Sequence, residues 1–238
     1  MASLPPINRY SGQTLLVDAD DTLWENNIYF ERAITSFISY VDHGSYTADE
    51  VRSHLNRCEH ATIAVRGYGV KSFRHSLLNC FEALRGAATE DERRHILSLT
   101  EPIARHEIDL LPGVQETLAA LSTRHRLLLV TKGDQEEQTG KLDRSGLAPY
   151  FSAVEVLREK DEEAYRALRE RHHVESRSTW MIGNSPRSDI TPALAAGLHA
   201  VYIPHDYTWM LEHETIPQPP DGRHLLELAA FFDLALHF

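Results

Sequence analysis

Two patterns of hydrophobic and polar positions divide this chain. Leu15-Leu16-Val17 is an unbroken apolar run that stops in Asp18-Ala19-Asp20-Asp21-Thr22. A run without polar alternation predicts a strand buried on both faces of a parallel sheet. From there to residue 107 the apolar positions recur at helical spacing. Phe30, Ile34, Phe37, Ile38 and Val41 form one stripe, and Phe73, Leu77, Leu78, Phe81 and Leu84 form another after the turn Gly67-Tyr68-Gly69. Thr47 to Glu50 and Thr89 to Glu92 each have the spacing of a capping box, ahead of Val51, Leu55 and Cys58 in one case and Ile96 and Leu99 in the other. No strand pattern lies within 26–107, so this block predicts a helical bundle inserted after the first strand.

From Leu111-Pro112-Gly113-Val114 onward, apolar runs alternate with helical stripes. Strands are predicted at Leu127–Val130, within Tyr150–Val156, at Thr179–Ile182 and at Ala200–Ile203. The intervening helices cover Val114–Leu121, 135–145, 161–173 and a segment through Ala193 and Ala196 that Gly197 stops. The tail from Ile216 is rich in turn residues and is predicted to close in a helix over Leu225–Leu234. Strands separated by helices imply crossover connections and a parallel sheet. The predicted class is α/β, a Rossmann-like parallel sheet with helices on both faces and an inserted all-helical cap. The core would comprise 1–25 with 108–238, and the cap 26–107.

Composition narrows the function. Of 238 residues 42% are hydrophobic, enough for a real core. The formal charge of −11 argues against a nucleic-acid backbone as partner, because it would repel the phosphates. No stretch approaches the roughly 18 apolar residues of a membrane helix. Met1 to Tyr10 has neither a basic region nor an apolar one, so a signal peptide is not expected and the protein is expected in the cytoplasm. Cys58 and Cys80 form no Cys-x-x-Cys pair and read as reduced, packed thiols. None of the fourteen histidines stands in a metal-binding frame, and His172, His173, His205 and His213 read as surface or packing residues.

The chemistry concentrates at strand ends. Three acids within four positions repel one another unless a cation sits among them, and an oxygen-rich cluster suits a hard cation such as Mg²⁺. Asp18-Ala19-Asp20-Asp21-Thr22 resembles motif I (Asp-x-Asp-x-Thr) of the haloacid dehalogenase-like (HAD) hydrolases. Three further matches follow in order. Thr131, ending the second strand, resembles motif II. Lys160, just before a helix, resembles the motif III lysine, with Lys141 as a weaker competitor. Gly183-Asn184-Ser185-Pro186-Arg187-Ser188-Asp189 resembles motif IV, usually Gly-Asp-Ser-x-x-x-Asp, with Asn184 in place of the first acid. The helical insertion resembles the cap of the C1 subclass.

The resemblance implies roles. Asp18 would attack phosphorus and carry an aspartyl-phosphate, and Asp20 would protonate the leaving oxygen and then activate water. The Thr131 hydroxyl would bind the phosphoryl group, helped by backbone N–H groups of Lys132 and Gly133. Lys160 would neutralise the phosphate and restrain the nucleophile, and Thr22 would hold the loop. Mg²⁺ would be bound by the Asp18 carboxylate, the Asp20 carbonyl, Asp189 and Asn184. Because haloacid dehalogenases need neither metal nor an acid two residues after the nucleophile, Asp20 favours phosphoryl transfer. The expected function is a Mg²⁺-dependent phosphomonoester hydrolase acting on a small phosphorylated metabolite. A phosphosugar mutase shares every core motif and stays open, as does a non-catalytic binding protein on the same scaffold, for which Asn184 is the one hint. The oligomeric state is open.

Substrate choice is expected in the cap. Lys71, Arg74 and His75 share a helical face, which for Lys71 reads as ordinary solvated surface, while Arg66 and Tyr68 flank the Gly-Tyr-Gly turn and are the better candidates. Alanine at Arg66 or Tyr68 is expected to raise KM for the true substrate with kcat little changed, and steady-state kinetics that do not move would remove both from the site.

Overall fold

A computed structural model of the chain describes residues 10–41 and 46–238. The N-terminal residues 1–9, on which the targeting expectation rests, lie outside the described residues. Strand β1 (Thr14–Val17) leads into five helices: α1 (Asn27–Val41), α2 (Ala48–Arg66), α3 (Val70–Arg85), α4 (Glu90–Ser98) and α5 (Glu101–Arg105). Alternation then begins with α6 (Val114–Ser122), β2 (Arg126–Lys132), α7 (Gln135–Ser145), β3 (Ala153–Leu157) and α8 (Glu162–His172). It continues with β4 (Thr179–Gly183), α9 (Thr191–Ala195), β5 (His199–Tyr202), β6 (Leu225–Glu227) and α10 (Leu234–His237). The chain divides into two compact units, one of residues up to Glu25 with Ile108–Phe238, the other of Asn26–Glu107.

The first unit is built on one six-stranded parallel sheet of order β3-β2-β1-β4-β5-β6. Successive strand residues face opposite ways, and here both faces are apolar and covered. Leu15, Val17, Leu127, Leu129, Trp180 and Ile182 pack on one side with Val114, Leu118 and Leu121 of α6, Leu142 of α7 and Leu234 of α10. Leu16, Leu128, Val130 and Met181 pack on the other with Tyr165 and Leu168 of α8 and Ala193 of α9. Each fully buried side chain of this kind contributes about 1.5–3 kcal/mol.

The strand order places the site. The chain runs outward from β1 through β2 to β3, then returns to the other side of β1 with β4. Strand order therefore reverses beside β1, and the crevice at the carboxyl ends of such a switch point is where ligands bind in open α/β sheets.

The second unit is all-helical among its described residues. Ala33, Ile34, Phe37, Val51, Leu55, Phe73, Leu77, Cys80, Phe81 and Ile96 form its core. Both capping boxes are present, with Thr47 and Thr89 accepting from the amides of Glu50 and Glu92. Arg74 donates to the Thr100 hydroxyl at 2.7 Å, so its guanidinium holds α3 to the start of α5.

The helix expected over Leu225–Leu234 is a correction. Leu225–Glu227 is instead the edge strand β6, in register with Ala200–Tyr202, and only Leu234–His237 is α-helical. Leu225-Leu226-Glu227-Leu228 has no helical disadvantage of its own, but the open edge of β5 offers ladder hydrogen bonds that a local helix would forgo. The Leu228 amide donates to the Tyr202 carbonyl at 3.0 Å, and the Ala200 amide to that of His224 at 3.0 Å. Among the described residues no helix is long and apolar enough to cross a membrane.

Candidate active site

The predicted residues of the core stand at or just beyond the carboxyl ends of four strands, β1 to β4. Pairing of β1 with β4 continues one residue past the strand, where the Asp18 amide donates to the Ile182 carbonyl at 2.9 Å. The chain then coils tightly. The Leu23 amide returns to the Ala19 carbonyl at 2.8 Å and Asp21 takes a left-handed conformation (φ 57°), which aspartate tolerates better than most residues. This coil turns the Asp18 and Asp20 side chains into the crevice.

Lys160 is the pivot. It precedes Asp161, which caps α8 by accepting from the Ala164 amide at 2.8 Å, so the helix start fixes where the lysine stands. Its side chain is 2% exposed, and its ammonium bonds Asp18 Oδ1 and, at 2.7 Å, Asp189 Oδ1. Lys160, not Lys141, is therefore the lysine that holds Asp18. The other oxygens are also engaged. Asp18 Oδ2 accepts from the Thr22 hydroxyl at 3.0 Å, and Asp189 Oδ2 accepts from the Ser185 amide at 3.0 Å. Gly183 leaves the room this needs, since a Cβ there would stand 2.2 Å from Asp189 Oδ2.

Asn184 is oriented by its neighbours. The Thr208 hydroxyl donates to the His205 carbonyl at 2.9 Å, so its oxygen is left to accept from Asn184 Nδ2 at 3.1 Å. That turns Asn184 Oδ1 toward the Thr22 hydroxyl, at 3.3 Å, beside Asp18. Thr131 is buried at the end of β2, two residues beyond the register pair Val17–Leu129.

Asp20 has a separate set of partners. Trp24 Nε1 donates to Oδ1 at 2.7 Å, Gln138 Nε2 to Oδ2 at 2.8 Å, and Lys141 Nζ reaches both oxygens at 3.0 and 3.1 Å. Burial alone would raise the Asp20 carboxyl, but the Lys141 charge and the three donors outweigh it and hold it below its ordinary value. Asp18 moves the other way. Burial and the charge of Asp189 push it up to about 7 against the pull of Lys160, and burial raises Asp189 as well.

These shifts test the fit of a cation. Three carboxylates (Asp18, Asp20, Asp189) face two ammonium groups, and the excess negative charge falls on the Asp18–Asp189 side. With the Asn184 carbonyl oxygen beside them, this is an all-oxygen donor set of the kind that Mg²⁺ takes. A second set, Asp21, Glu25 and His205, offers one ligand atom each within 4.8 Å of one another. Sequence spacing does not reveal this set, since Asp21 is one acid in a run and His205 reads as a surface or packing residue.

One detail corrects the sequence reading. The Gly133 amide donates to the Leu157 carbonyl at 3.2 Å, so it serves the sheet rather than a phosphate. What Gly133 (φ 148°) provides is space, because a Cβ there would meet Gln138 Nε2 at 2.9 Å. The Lys132 side chain is engaged by Ser188 Oγ at 2.7 Å and Glu212 Oε1 at 2.5 Å. Glu212, buried and also bonded by the Ser185 and Ser188 hydroxyls, is held below its ordinary value by Lys132 and these donors despite burial. No sequence signal marks Glu212, which ends a single 3₁₀ turn (Met210–Glu212) between β5 and β6. Arg66 and Tyr68 belong to the helical unit, Arg66 exposed at the end of α2 and Tyr68 half-buried in the following turn.

A family model for the haloacid dehalogenase-like hydrolases matches residues 13–197. The chain belongs to this family. No curated protein matches it. Among solved structures it is similar to a haloacid dehalogenase-like family hydrolase from Xanthomonas campestris, at 27% identity over 94% of each chain with a TM-score of 0.76. It is also similar in fold to the putative HAD hydrolase YfnB from Bacillus subtilis bound to magnesium (18% identity, 95% of this chain and 98% of that one, TM-score 0.65). A predicted phosphoglycolate phosphatase from Haemophilus somnus shares the fold at 18% identity, covering 94% and 96%, with a TM-score of 0.62. Haloacid dehalogenases are among the similar structures too. The protein is thus a HAD-like hydrolase, an enzyme of a superfamily that supports several reactions on one scaffold.

Two outcomes are expected. Gly183→Ala displaces the Asp189 carboxylate and lowers hydrolase activity by at least ~10-fold, a misplacement effect, with a drop in thermal midpoint; activity equal to wild type would show that Asp189 is not needed where it stands. For Asp18 the folded value lies above the unfolded one, so the fold binds the extra proton and loses stability as pH rises from about 4 to about 7. Thermal midpoints of metal-free protein should fall across that window, and Asp18→Asn should flatten this contribution.

Proposed function

We propose that this HAD-like hydrolase is a Mg²⁺-dependent phosphomonoesterase working through an aspartyl-phosphate. The observation that carries the reading is Asp20, a second carboxylate two residues after the nucleophile, kept in place by three donors of its own. A dehalogenase has no task for it. The magnesium bound by the Bacillus subtilis relative supports the cofactor, and the predicted phosphoglycolate phosphatase supports the substrate class.

In this reading Asp18 attacks phosphorus in line, the P–O bond to the leaving alcohol breaks, and Asp20 supplies the alcohol's proton. Water then attacks the aspartyl-phosphate, Asp20 takes its proton, and inorganic phosphate leaves with Asp18 restored. The donors around Asp20 favour its ionised form, which suits the base of the second step. The proton it hands over in the first enters with the substrate as a phosphate monoanion, whose second pKa is about 6. Lys160 and the Thr131 hydroxyl balance the charge of the transferring group. Mg²⁺, held by Asp18, Asp189, the Asn184 side chain and the Asp20 carbonyl, would screen the repulsion between an anionic nucleophile and an anionic substrate.

The test is phosphate release from p-nitrophenyl phosphate and a panel of metabolite phosphomonoesters. Activity is expected with Mg²⁺, lost with EDTA, and reduced ~10³-fold or more in Asp18→Asn. Halide release from 2-chloropropionate, without phosphate release from any ester, would overturn the reading in favour of a dehalogenase. Conversion of a sugar phosphate to its isomer without free phosphate would overturn it in favour of a mutase.

A further inference from the structure

The Asp20 carboxylate is held from outside its own loop, by the first two turns of α7. Lys141 and Gln138 stand three positions apart on that helix and therefore share a face. Asp134 caps the helix by accepting from the Glu137 amide at 3.0 Å, and Gln138 Nε2 also bonds the Lys132 carbonyl at 3.2 Å, which ties this face to the end of β2. The Lys141 side chain is 4% exposed, and its ammonium spans both Asp20 oxygens, with Glu137 at 3.7 Å as a lesser partner. Lysine is rarely buried without such a task. A carboxylate with one donor can swing about its terminal torsion, which has a broad energy profile. Donors on both oxygens, from a strand-end loop on one side and a helix on the other, remove that freedom.

Resting on the hydrolase reading above, we propose that Lys141, assisted by Gln138 and Trp24, is the positioning residue that aims Asp20 at the leaving-group oxygen. Lys141 does not touch substrate. It acts through Asp20, so its contribution should appear only where a leaving group needs a proton. Proton transfer by a positioned side chain accelerates such steps by ~10²–10⁴-fold, and loss of aim forfeits part of that.

The experiment compares kcat/KM, which reports the steps through alcohol departure, for two substrates. Nitrophenolate departs from p-nitrophenyl phosphate without protonation, whereas the alkoxide of an alkyl ester such as glycerol phosphate does not. Lys141→Met is expected to lower kcat/KM for the alkyl ester ~10–100-fold and for the nitrophenyl ester less than ~3-fold, with Lys141→Arg recovering part of the loss. In an Asp20→Asn background Lys141→Met should cost nothing further. Equal losses on both esters, or losses that multiply in the double variant, would overturn the assignment and leave Lys141 a structural lysine. Thermal unfolding of wild type, Lys141→Met, Asp20→Asn and their double variant reads the pair without turnover: coupled midpoints support the contact, and additive ones overturn it. A wild type that hydrolyses no phosphomonoester removes the reaction assigned to Lys141, and so fails the phosphomonoesterase reading itself; an active wild type with an indifferent Lys141→Met fails only this inference.

Discussion

One buried ammonium group between two carboxylates organises the core unit. Lys160, in the connection between β3 and α8, reaches Asp18 just past β1 and Asp189 in the segment after β4. Like charges brought to the ends of neighbouring strands would otherwise force those ends apart. Removing one partner from a buried pair of this kind costs roughly 3–5 kcal/mol, because the charge left behind has neither water nor counter-ion. The other contacts of the crevice follow from this bridge. Gly183 makes room for Asp189, Thr22 takes the free oxygen of Asp18, and the Ser185 amide takes that of Asp189.

The site divides its charge into compartments. Around Asp18 and Asp189 negative charge is in excess, and Asp18 rises to about 7. Around Asp20 and around Glu212 a lysine and several donors meet each carboxylate, and both are held below their ordinary values. The imbalance is confined to the side where the Asn184 oxygen also points, which is the arrangement a hard divalent cation would complete. Replacing the usual acid by Asn184 keeps the oxygen and drops a charge, with Thr208 supplying the orientation that a carboxylate would not need.

The helical unit has its own core and its own caps, and nothing in the sheet depends on its residues for strand pairing. Such an insertion can vary in sequence without disturbing the strand ends that carry Asp18, Asp20, Thr131 and Asp189, as when one fold carries many reactions.

Much was legible in the sequence because it rests on local rules. Continuous apolar runs marked β1, β2 and β4, capping boxes marked α2 and α4, and each chemical residue of the core followed a strand whose end could be read. What the sequence could not decide was anything set by contact between distant segments. Leu225–Glu227 has no strand signal strong enough to outweigh its leucines; only the unpaired edge of β5 makes it β6. The Gly133 amide looked free until β3 was beside it. Lys141 and Lys160 were alternatives on paper, since each precedes or lies within a polar helix, and the fold gave them different carboxylates. Glu212 had no motif at all. Residue type and spacing along the chain determined the strands, the helices and the inventory of acids and bases. Which base meets which acid was decided by the sheet order, because charge pairing depends on distance through space, and the chain sets that distance only after it has folded.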